Sequence, residues 1–242
     1  MPGMNPRRHA VALAVASCLA AVSAVRAGND AAPAPTDAIT FVMPAAGAFI
    51  PSGPVIVAGR LPPGAGDVEL RLDGAPLADV GRSGAGFSVT LTPRPGPHTL
   101  EARAGGRSAI ITFAAGTGGR GATPYRYHTP VLEARCAECH TGMHRPSPRA
   151  EMETCTHCHR KLAVVFPYVH GPVAAGKCLV CHDPHGSDRP ALTTGDSKQL
   201  CTRCHDQPSS LEHIDKARSR VCHLCHNPHA SMNRRFLYDI VR

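Results

Sequence analysis

Apolar and polar residues follow two different rhythms along this chain of 242 residues. From residue 37 to 113, short apolar runs are cut by Gly and Pro. One run alternates strictly, Val68-Glu69-Leu70-Arg71-Leu72, and ends on Asp73-Gly74. A period of two marks a half-buried strand, and Asp-Gly marks a tight hairpin turn. The pattern predicts strands over Ala38–Met43, Pro54–Arg60, Asp67–Leu72, Phe87–Leu91, His98–Ala104 and Ser108–Phe113. Six or seven strands in about 80 residues point to a small all-β sandwich. The Gly-rich stretch 114–123 reads as a linker. Beyond it, over 124–242, neither rhythm persists, and only short helices near Ser147–Glu153 and Asp206–Arg218 are expected among irregular loops. The expected fold is therefore two-domain: a β-sandwich over 37–113, then an irregular, mainly short-helix and loop domain.

A further apolar run, Ala10–Val25, follows Arg7 and Arg8 and leads to Val25-Arg26-Ala27. Residues 1–27 read as a secretory signal peptide with cleavage after Ala27. At about 16 residues the run is shorter than the roughly 20 needed to span a bilayer. Val15-Ala16-Ser17-Cys18 offers a rival reading, a lipobox with Cys18 as the lipidated residue. Apolar residues continuing past Cys18 argue against it. A periplasmic or extracellular location is expected.

Cysteine usage changes the picture of the second half. Ten of the eleven Cys fall in five Cys-x-x-Cys-His motifs: Cys136, Cys139, His140; Cys155, Cys158, His159; Cys178, Cys181, His182; Cys201, Cys204, His205; and Cys222, Cys225, His226. Such a motif supplies two thiols for thioether bonds to haem vinyl groups and a His to sit beneath the iron. From the Cys and His frequencies, about 0.03 chance matches are expected. Zinc ribbons also use CxxC pairs, but an odd number of pairs cannot be grouped into four-ligand sites, and zinc needs no His after every pair. The chain is read as carrying five haem c groups. At about 24 residues per haem, 119 residues cannot build an ordinary protein core, so the porphyrins are expected to be the core.

The motifs sit in a tandem repeat. "HTPVLEARCAECH" starts at His128, "HGPVAAGKCLVCH" at His170 and the looser "HIDKARSRVCHLCH" at His213; Cys136 to Cys178 is 42 residues and Cys178 to Cys222 is 44. Units one and two hold a second, plainer motif; unit three stops before one. After the first motif come His144, His185 and His229, the last two within "CHDPHG" and "CHNPHAS". The distal iron ligands are therefore sought among His128, His144, His170, His185, His213 and His229. A His three residues past a proximal His cannot curl round its own porphyrin, but it can reach a neighbouring iron. Counted within units, His128 with His144 and His170 with His185 serve units one and two, and unit three keeps one His too many. That spare is either a relic facing solvent or the ligand of an iron in a neighbouring subunit. His157 and His223, between motif cysteines, are expected at their own haem edge or facing solvent; His98 and His9 are incidental. Ligation by Met143, Met152 or Met232 would raise the potential, but histidines are in ample supply.

"HGPVAAGKCLVCHDPHGS", His170 to Ser187, matches H-x-P-V-x-x-G-x-C-x-x-C-H-x-P-H-G-S nearly throughout. Residues 124–242 thus resemble bacterial multihaem cytochromes c of the doubled-CxxCH family. The resemblance implies periplasmic or extracellular electron transfer through low-potential, bis-histidine haems. The segment 37–113 resembles bacterial immunoglobulin-like domains in "PAAGAFIPSGPVIVAG" and "GPHTLEARA", without the Cys-Trp-Cys core of antibody domains. Its role is docking or that of a spacer.

Net charge does not overturn this reading. The formal +8 falls to +5 once Arg7, Arg8 and Arg26 leave with the leader. Haem propionates, offset by about one positive charge per ferric core, bring the holoprotein near neutral, so no nucleic-acid partner is expected. The expectation is an electron carrier with no catalytic residues, working with other cytochromes, a quinol dehydrogenase or a terminal reductase. A reductase of nitrite or hydroxylamine is the alternative, but it would need an open coordination site. A structural subunit of a cytochrome filament or an outer-membrane conduit is the other.

Overall fold

The six expected strands all form, joined by three shorter ones. The computed structural model describes residues 37–116, 123–142, 145–146, 149–160, 166–205 and 221–238. The signal segment with Cys18 and His9, residues 117–122 of the Gly-rich stretch, Met143, His144, Ser147 and the helix expected at Asp206–Arg218 with His213 lie outside these. Nine strands run through the first part: β1 (Thr40–Met43), β2 (Ala48–Ile50), β3 (Val55–Arg60), β4 (Glu69–Leu72), β5 (Ala75–Pro76), β6 (Gly81–Ser83), β7 (Gly86–Leu91), β8 (Gly96–Ala104) and β9 (Arg107–Ala115). They make a four-stranded sheet, β1-β3-β7-β6, and a five-stranded sheet, β2-β9-β8-β4-β5. Pairing is antiparallel throughout except for β2, which runs parallel to β9.

Strand alternation places one face of each sheet inward. Val55 and Val57 of β3 and Phe87 of β7 meet Leu70 of β4, Leu100 and Ala102 of β8 and Phe113 of β9 in a single apolar cluster. The expected turn is present: Leu72 pairs with Ala75, and Asp73 (φ 51°) and Gly74 (φ 84°) both occupy the left-handed region that a two-residue hairpin needs. Gly59 is glycine for another reason: a Cβ there would lie 2.6 Å from the carbonyl oxygen of Thr40 and collide with the Phe87 ring.

Residues 124–127 are bound to the β-sheets. Pro124 bridges to Phe49, and the Tyr125 N–H donates to the Phe49 carbonyl at 2.6 Å. Tyr125 is 3% exposed and belongs to the apolar cluster. The Tyr127 hydroxyl donates to the Ile56 carbonyl (2.9 Å) and accepts from the Ile56 N–H (3.1 Å). It thereby satisfies β3 beyond the reach of its β1 ladder, which covers only residues 58–60. Both parts fall within one compact unit, Pro35–Arg242.

Regular structure is sparse after β10 (Arg126–Tyr127); the short strands β11 (His140–Gly142) and β12 (Arg145–Pro146) pair antiparallel. Among the described residues, four helices of one turn or little more occur: α1 (Thr129–Leu132), α2 (Glu151–Thr156), α3 (Gly171–Ala174) and α4 (Ser197–Cys201). Of the helix expected near Ser147–Glu153, the described part begins at Glu151. Among the described residues beyond Tyr127, Ala230 is the one buried apolar residue. Leu132 (53% exposed), Leu179, Val180 and Leu224 (58%) stay open. The described residues alone build no core here.

His98 does more than fill space. Its Nδ1 lies 2.7 Å from Asp73 Oδ2 and its Nε2 2.7 Å from the Arg94 carbonyl. Two acceptors call for two N–H groups, so the ring is held as a cation. Burial opposes that charge, yet Asp73 and the Arg94 carbonyl outweigh it and raise the His98 pKa. The Thr99 N–H, then His98, lower that of Asp73. The depressed carboxylate stabilises the fold above its ordinary pKa of 3.8, and the raised imidazole does so below its ordinary 6.5. The stability lost in Asp73→Asn, followed by thermal unfolding, is therefore expected to be largest between these values. It should shrink as pH rises through the His98 pKa or falls through that of Asp73.

Candidate functional site

Two local geometries present the five motifs. The first motif of each unit lies on a short 3-10 turn: Cys136–Glu138, Cys178–Val180 and Cys222–Leu224. In units one and two this turn follows a one-turn helix, α1 or α3. His128 and His170 stand at the N-caps of these helices with extended backbone, and Pro occupies the first turn. Proline suits that turn because its missing N–H would have no helical partner. The second motifs instead close α2 and α4, which contain Cys155 and Cys201. A capping box from Asp196 and Gln199 starts α4.

Strand pairs tie each unit to the next. β10 (Arg126–Tyr127), just before His128, pairs antiparallel with β14 (Gly186–Ser187), just after His185. β13 (Tyr168–Val169) and β15 (Ala230–Ser231) repeat this for His170 and His229. The His128 N–H donates to the His185 carbonyl at 3.0 Å, and His170 N–H to the His229 carbonyl at 2.9 Å. The loops that follow the motifs repeat too. His182 Nδ1 bonds the Ala191 carbonyl and His226 Nδ1 the Arg235 carbonyl, both at 2.8 Å and both nine residues on. The buried hydroxyls of Ser187 and Ser231 donate to the carbonyls of Thr193 and Leu237.

This scaffold brings eight histidines into four near-parallel pairs. Ring centroids are 5.9 Å apart for His140 and His185, 6.0 Å for His128 and His159, 5.9 Å for His182 and His229, and 5.8 Å for His170 and His205. The planes within each pair differ by 13–21°. Each pair joins a motif His to a candidate from the distal set. Rings packed face to face would approach to about 3.5–4.0 Å, so these pairs are spaced apart. Metal–imidazole bonds of about 2 Å on either side of one ion put the nitrogens about 4 Å and the centroids about 6 Å apart. The pairs fit an iron porphyrin between them. Among the described residues no three His, Cys, Asp or Glu side chains converge on a point as a zinc site requires.

The pairing differs from a count made within units. His185 faces His140 of the preceding unit, and His229 faces His182 in the same way. The leading His128 and His170 face the second motif of their own units. The strand pairs explain this: β14 and β15 carry the His after each first motif back onto the preceding unit. His226 is described, whereas His144 and His213 are not. His157 and His223 are exposed.

Burial, then neighbouring histidines in part, hold the pKa values of His128, His170 and His229 below the ordinary value. They are neutral at pH 7, the state in which imidazole binds a metal. Among the thiols, burial raises Cys139, Cys181 and Cys201 and pushes Cys155 up to about 12. Further influences, from the thiols of neighbouring motifs, trace which motifs adjoin. Cys158 acts on Cys139, Cys178 on Cys155, Cys204 on Cys181 and Cys222 on Cys201. The motifs therefore adjoin in chain order, alternately through their second and their first cysteines. Hydrogen bonds bind the same neighbours: Arg149 to the Glu138 carbonyl (2.7 Å), the Leu179 N–H to Glu151, Arg203 to the Val180 carbonyl (3.0 Å) and the His223 N–H to Ser197 (3.3 Å).

Sequence reasoning missed Asp183, Asn227, Ser187 and Ser231, which hold the post-motif loops. The repeated Asp/Asn-Pro-His-x-Ser spacing was the signal that could have found them. Among the described residues no helix is long and apolar enough to cross a membrane.

Comparison with known proteins agrees with this chemistry. Residues 170–209 match the family described as the doubled CXXCH motif. Over 127 residues, 43% of this chain, it is 33% identical to the multiheme cytochrome MtrA of Shewanella baltica (strain OS185). It covers 38% of that relative's length. Two solved structures are matched with low overall similarity. A chimeric titin Z1Z2 functionalized with a decorin peptide has TM-score 0.26 and 14% identity, over 35% of this chain and 98% of that one. The polysaccharide lyase BACCELL_00875 has TM-score 0.28 and 12% identity, over 48% and 15%. Motifs that attach haem through two thiols and a histidine define a c-type cytochrome. Its five motifs and these matches mark the chain as a multihaem c-type cytochrome, with the doubled CXXCH motif over residues 170–209.

Gly186 tests how the strand pairs position the ligands. A Cβ there would lie 2.7 Å from both the Arg126 carbonyl and the Tyr125 hydroxyl. Gly186→Ala is expected to prise β10 from β14 and to perturb the low-spin electron paramagnetic resonance signals of two haems together. Gly171→Ala, where nothing lies within 4 Å of the Cβ position, should leave the spectrum unchanged.

Proposed function

We propose that this chain is a five-haem electron carrier, a short wire that passes single electrons between redox proteins outside the cytoplasmic membrane. The observation that carries the reading is the set of four spaced, near-parallel histidine pairs, each matching one motif His to a second imidazole. On this reading His140 and His185, His159 and His128, His182 and His229, and His205 and His170 are the axial pairs of the first four irons. The five motifs hold the groups through Cys136 and Cys139, Cys155 and Cys158, Cys178 and Cys181, Cys201 and Cys204, and Cys222 and Cys225. When bound, haem supplies a one-electron ferric/ferrous couple whose potential the axial ligands and surroundings set. The chain's own residues fix ligand identity, keep the imidazoles neutral and aimed, and hold successive motifs side by side in order.

The fifth iron, on His226, takes His213 on this reading. A post-motif His serves the preceding unit, so His144 would serve a unit ahead of the first. The 42 residues before His128 hold no Cys and hence no such unit. Five irons with two imidazoles each leave no position for an oxyanion substrate, which favours a carrier over a reductase. The sheets of residues 37–113 are proposed to form an immunoglobulin-like domain. Anchored through Tyr125 and Tyr127, it would brace the strand that leads into His128 and offer a surface to partner proteins. Residues 1–27 are proposed as the export signal, which suits haem attachment outside the cytoplasm.

Pyridine haemochrome absorbance with intact mass is expected to give five covalent haems per chain, and four in Cys181→Ser. Fewer than five in the wild type, or bound zinc, would overturn the reading. All five irons are expected to be low-spin at neutral pH. His213→Ala should convert one of them to a high-spin signal, and His144→Ala none; the opposite result would reassign the fifth iron.

A further inference from the structure

Two loops of the same design carry His185 and His229, and the five residues that open them differ by one charge. Asp183-Pro184-His185-Gly186-Ser187 corresponds to Asn227-Pro228-His229-Ala230-Ser231. In each, the first side chain turns back to accept the N–H of the His two residues on: Asp183 Oδ1 from His185 at 2.9 Å, Asn227 Oδ1 from His229 at 3.0 Å. This contact fixes the backbone of both loops at the His. Asp183 Oδ1, however, also lies 3.3 Å from His185 Nδ1, so one carboxylate oxygen faces both the backbone and the ring. Asn227 brings a neutral amide to the equivalent place.

Other ring nitrogens in the array meet a different kind of acceptor. His128 Nδ1 faces the Pro184 carbonyl at 3.0 Å, His182 Nδ1 the Ala191 carbonyl and His226 Nδ1 the Arg235 carbonyl, both at 2.8 Å. The His170 ring bonds the Pro228 carbonyl. A carbonyl steers a ring; a carboxylate steers it and pushes electron density into it. An imidazole whose far N–H faces a carboxylate is the more basic ligand. A more basic axial ligand stabilises ferric over ferrous iron and lowers the reduction potential. Asp183 is half-buried, on the wall it shares with Tyr125, Ser187 and Thr194, where its charge is less screened than at an open surface.

We infer that Asp183 is a potential-setting residue, which holds the iron of the His140–His185 pair at a lower potential than that of the His182–His229 pair. The inference rests on the axial pairs proposed above. Its consequence is directional: the first and third haems occupy equivalent places in successive units, yet an electron moves downhill from the first to the third. The first lies at the end of the array held against the β-sheets, so low-potential electrons would enter there.

The test is a spectroscopically monitored redox titration of the holoprotein, resolving individual haems, in the wild type, Asp183→Asn and Asn227→Asp. Asp183→Asn is expected to raise one potential by about tenfold in the ferric/ferrous equilibrium, roughly 59 mV for a one-electron couple. Asn227→Asp should lower a different one by a similar factor, and both variants should keep five low-spin haems. Since Asp already serves the equivalent place in unit two, the second variant stands even where the first fails to fold. If all haems stay low-spin while no single potential moves by more than twofold, or all move together, the inference fails and the axial pairs stand. A high-spin haem in the wild type at the His140 or His182 motif would sink the pairing and the inference with it.

Discussion

Two short antiparallel strand pairs organise the second half of the molecule. β10 with β14 and β13 with β15 contain only two residues per strand, far too little to be stable in isolation. Each nevertheless joins the segment that leads into one unit to the loop that follows the first motif of the next. Two histidines therefore leave each pair in opposite chain directions, His128 beside His185 and His170 beside His229. They turn to different motif histidines. A metal bond on each proposed axial pair would supply the stability that the strands lack, and the strands would supply the aim that a flexible loop lacks.

That exchange explains a segment that otherwise contradicts ordinary packing. In the β-sheet part, Val55, Val57, Leu70, Phe87 and Leu100 are wholly buried against one another, and the apolar cluster stands without help. After Tyr127, leucines and valines between the motif cysteines remain open, and hydrogen bonds run mostly to backbone carbonyls. Such a segment folds around its cofactors or hardly at all. The β-sheets lend it one fixed end: the Tyr127 hydroxyl satisfies both polar groups of Ile56, and the next residue is the proposed ligand His128.

The functional reading adds little chemistry to this mechanics. Backbone carbonyls steer the imidazoles of His128, His170, His182 and His226 without adding charge, so there ligand identity and order along the array do most of the work. Asp183 is the exception, because it introduces charge at a ligand where Asn227 introduces none. On the proposed reading, a charge at Asp183 where Asn227 has none gives the array a direction.

Much of this was legible in the sequence, for identifiable reasons. The main strands of the sheets were readable because alternation with Gly and Pro breaks is a local property. β2, β5 and β6 were not, since two or three residues, such as Gly81–Ser83 with no apolar side chain, carry no period. The motifs announced covalent haem because two thiols and a histidine must occupy fixed places on one short turn, whatever surrounds them. The candidates for the second ligand were also readable, as histidines recurring at fixed offsets. Their partners were not. Counting within units gave His170 and His185 to the two motifs of unit two, whereas the fold keeps His170 with His205 of that unit and sends His185 back to His140 of unit one. Spacing along the chain records what a residue is tied to covalently. Which ring faces which across a haem-sized gap is decided by the strand pairs between units, and those exist only once the repeats have packed against each other.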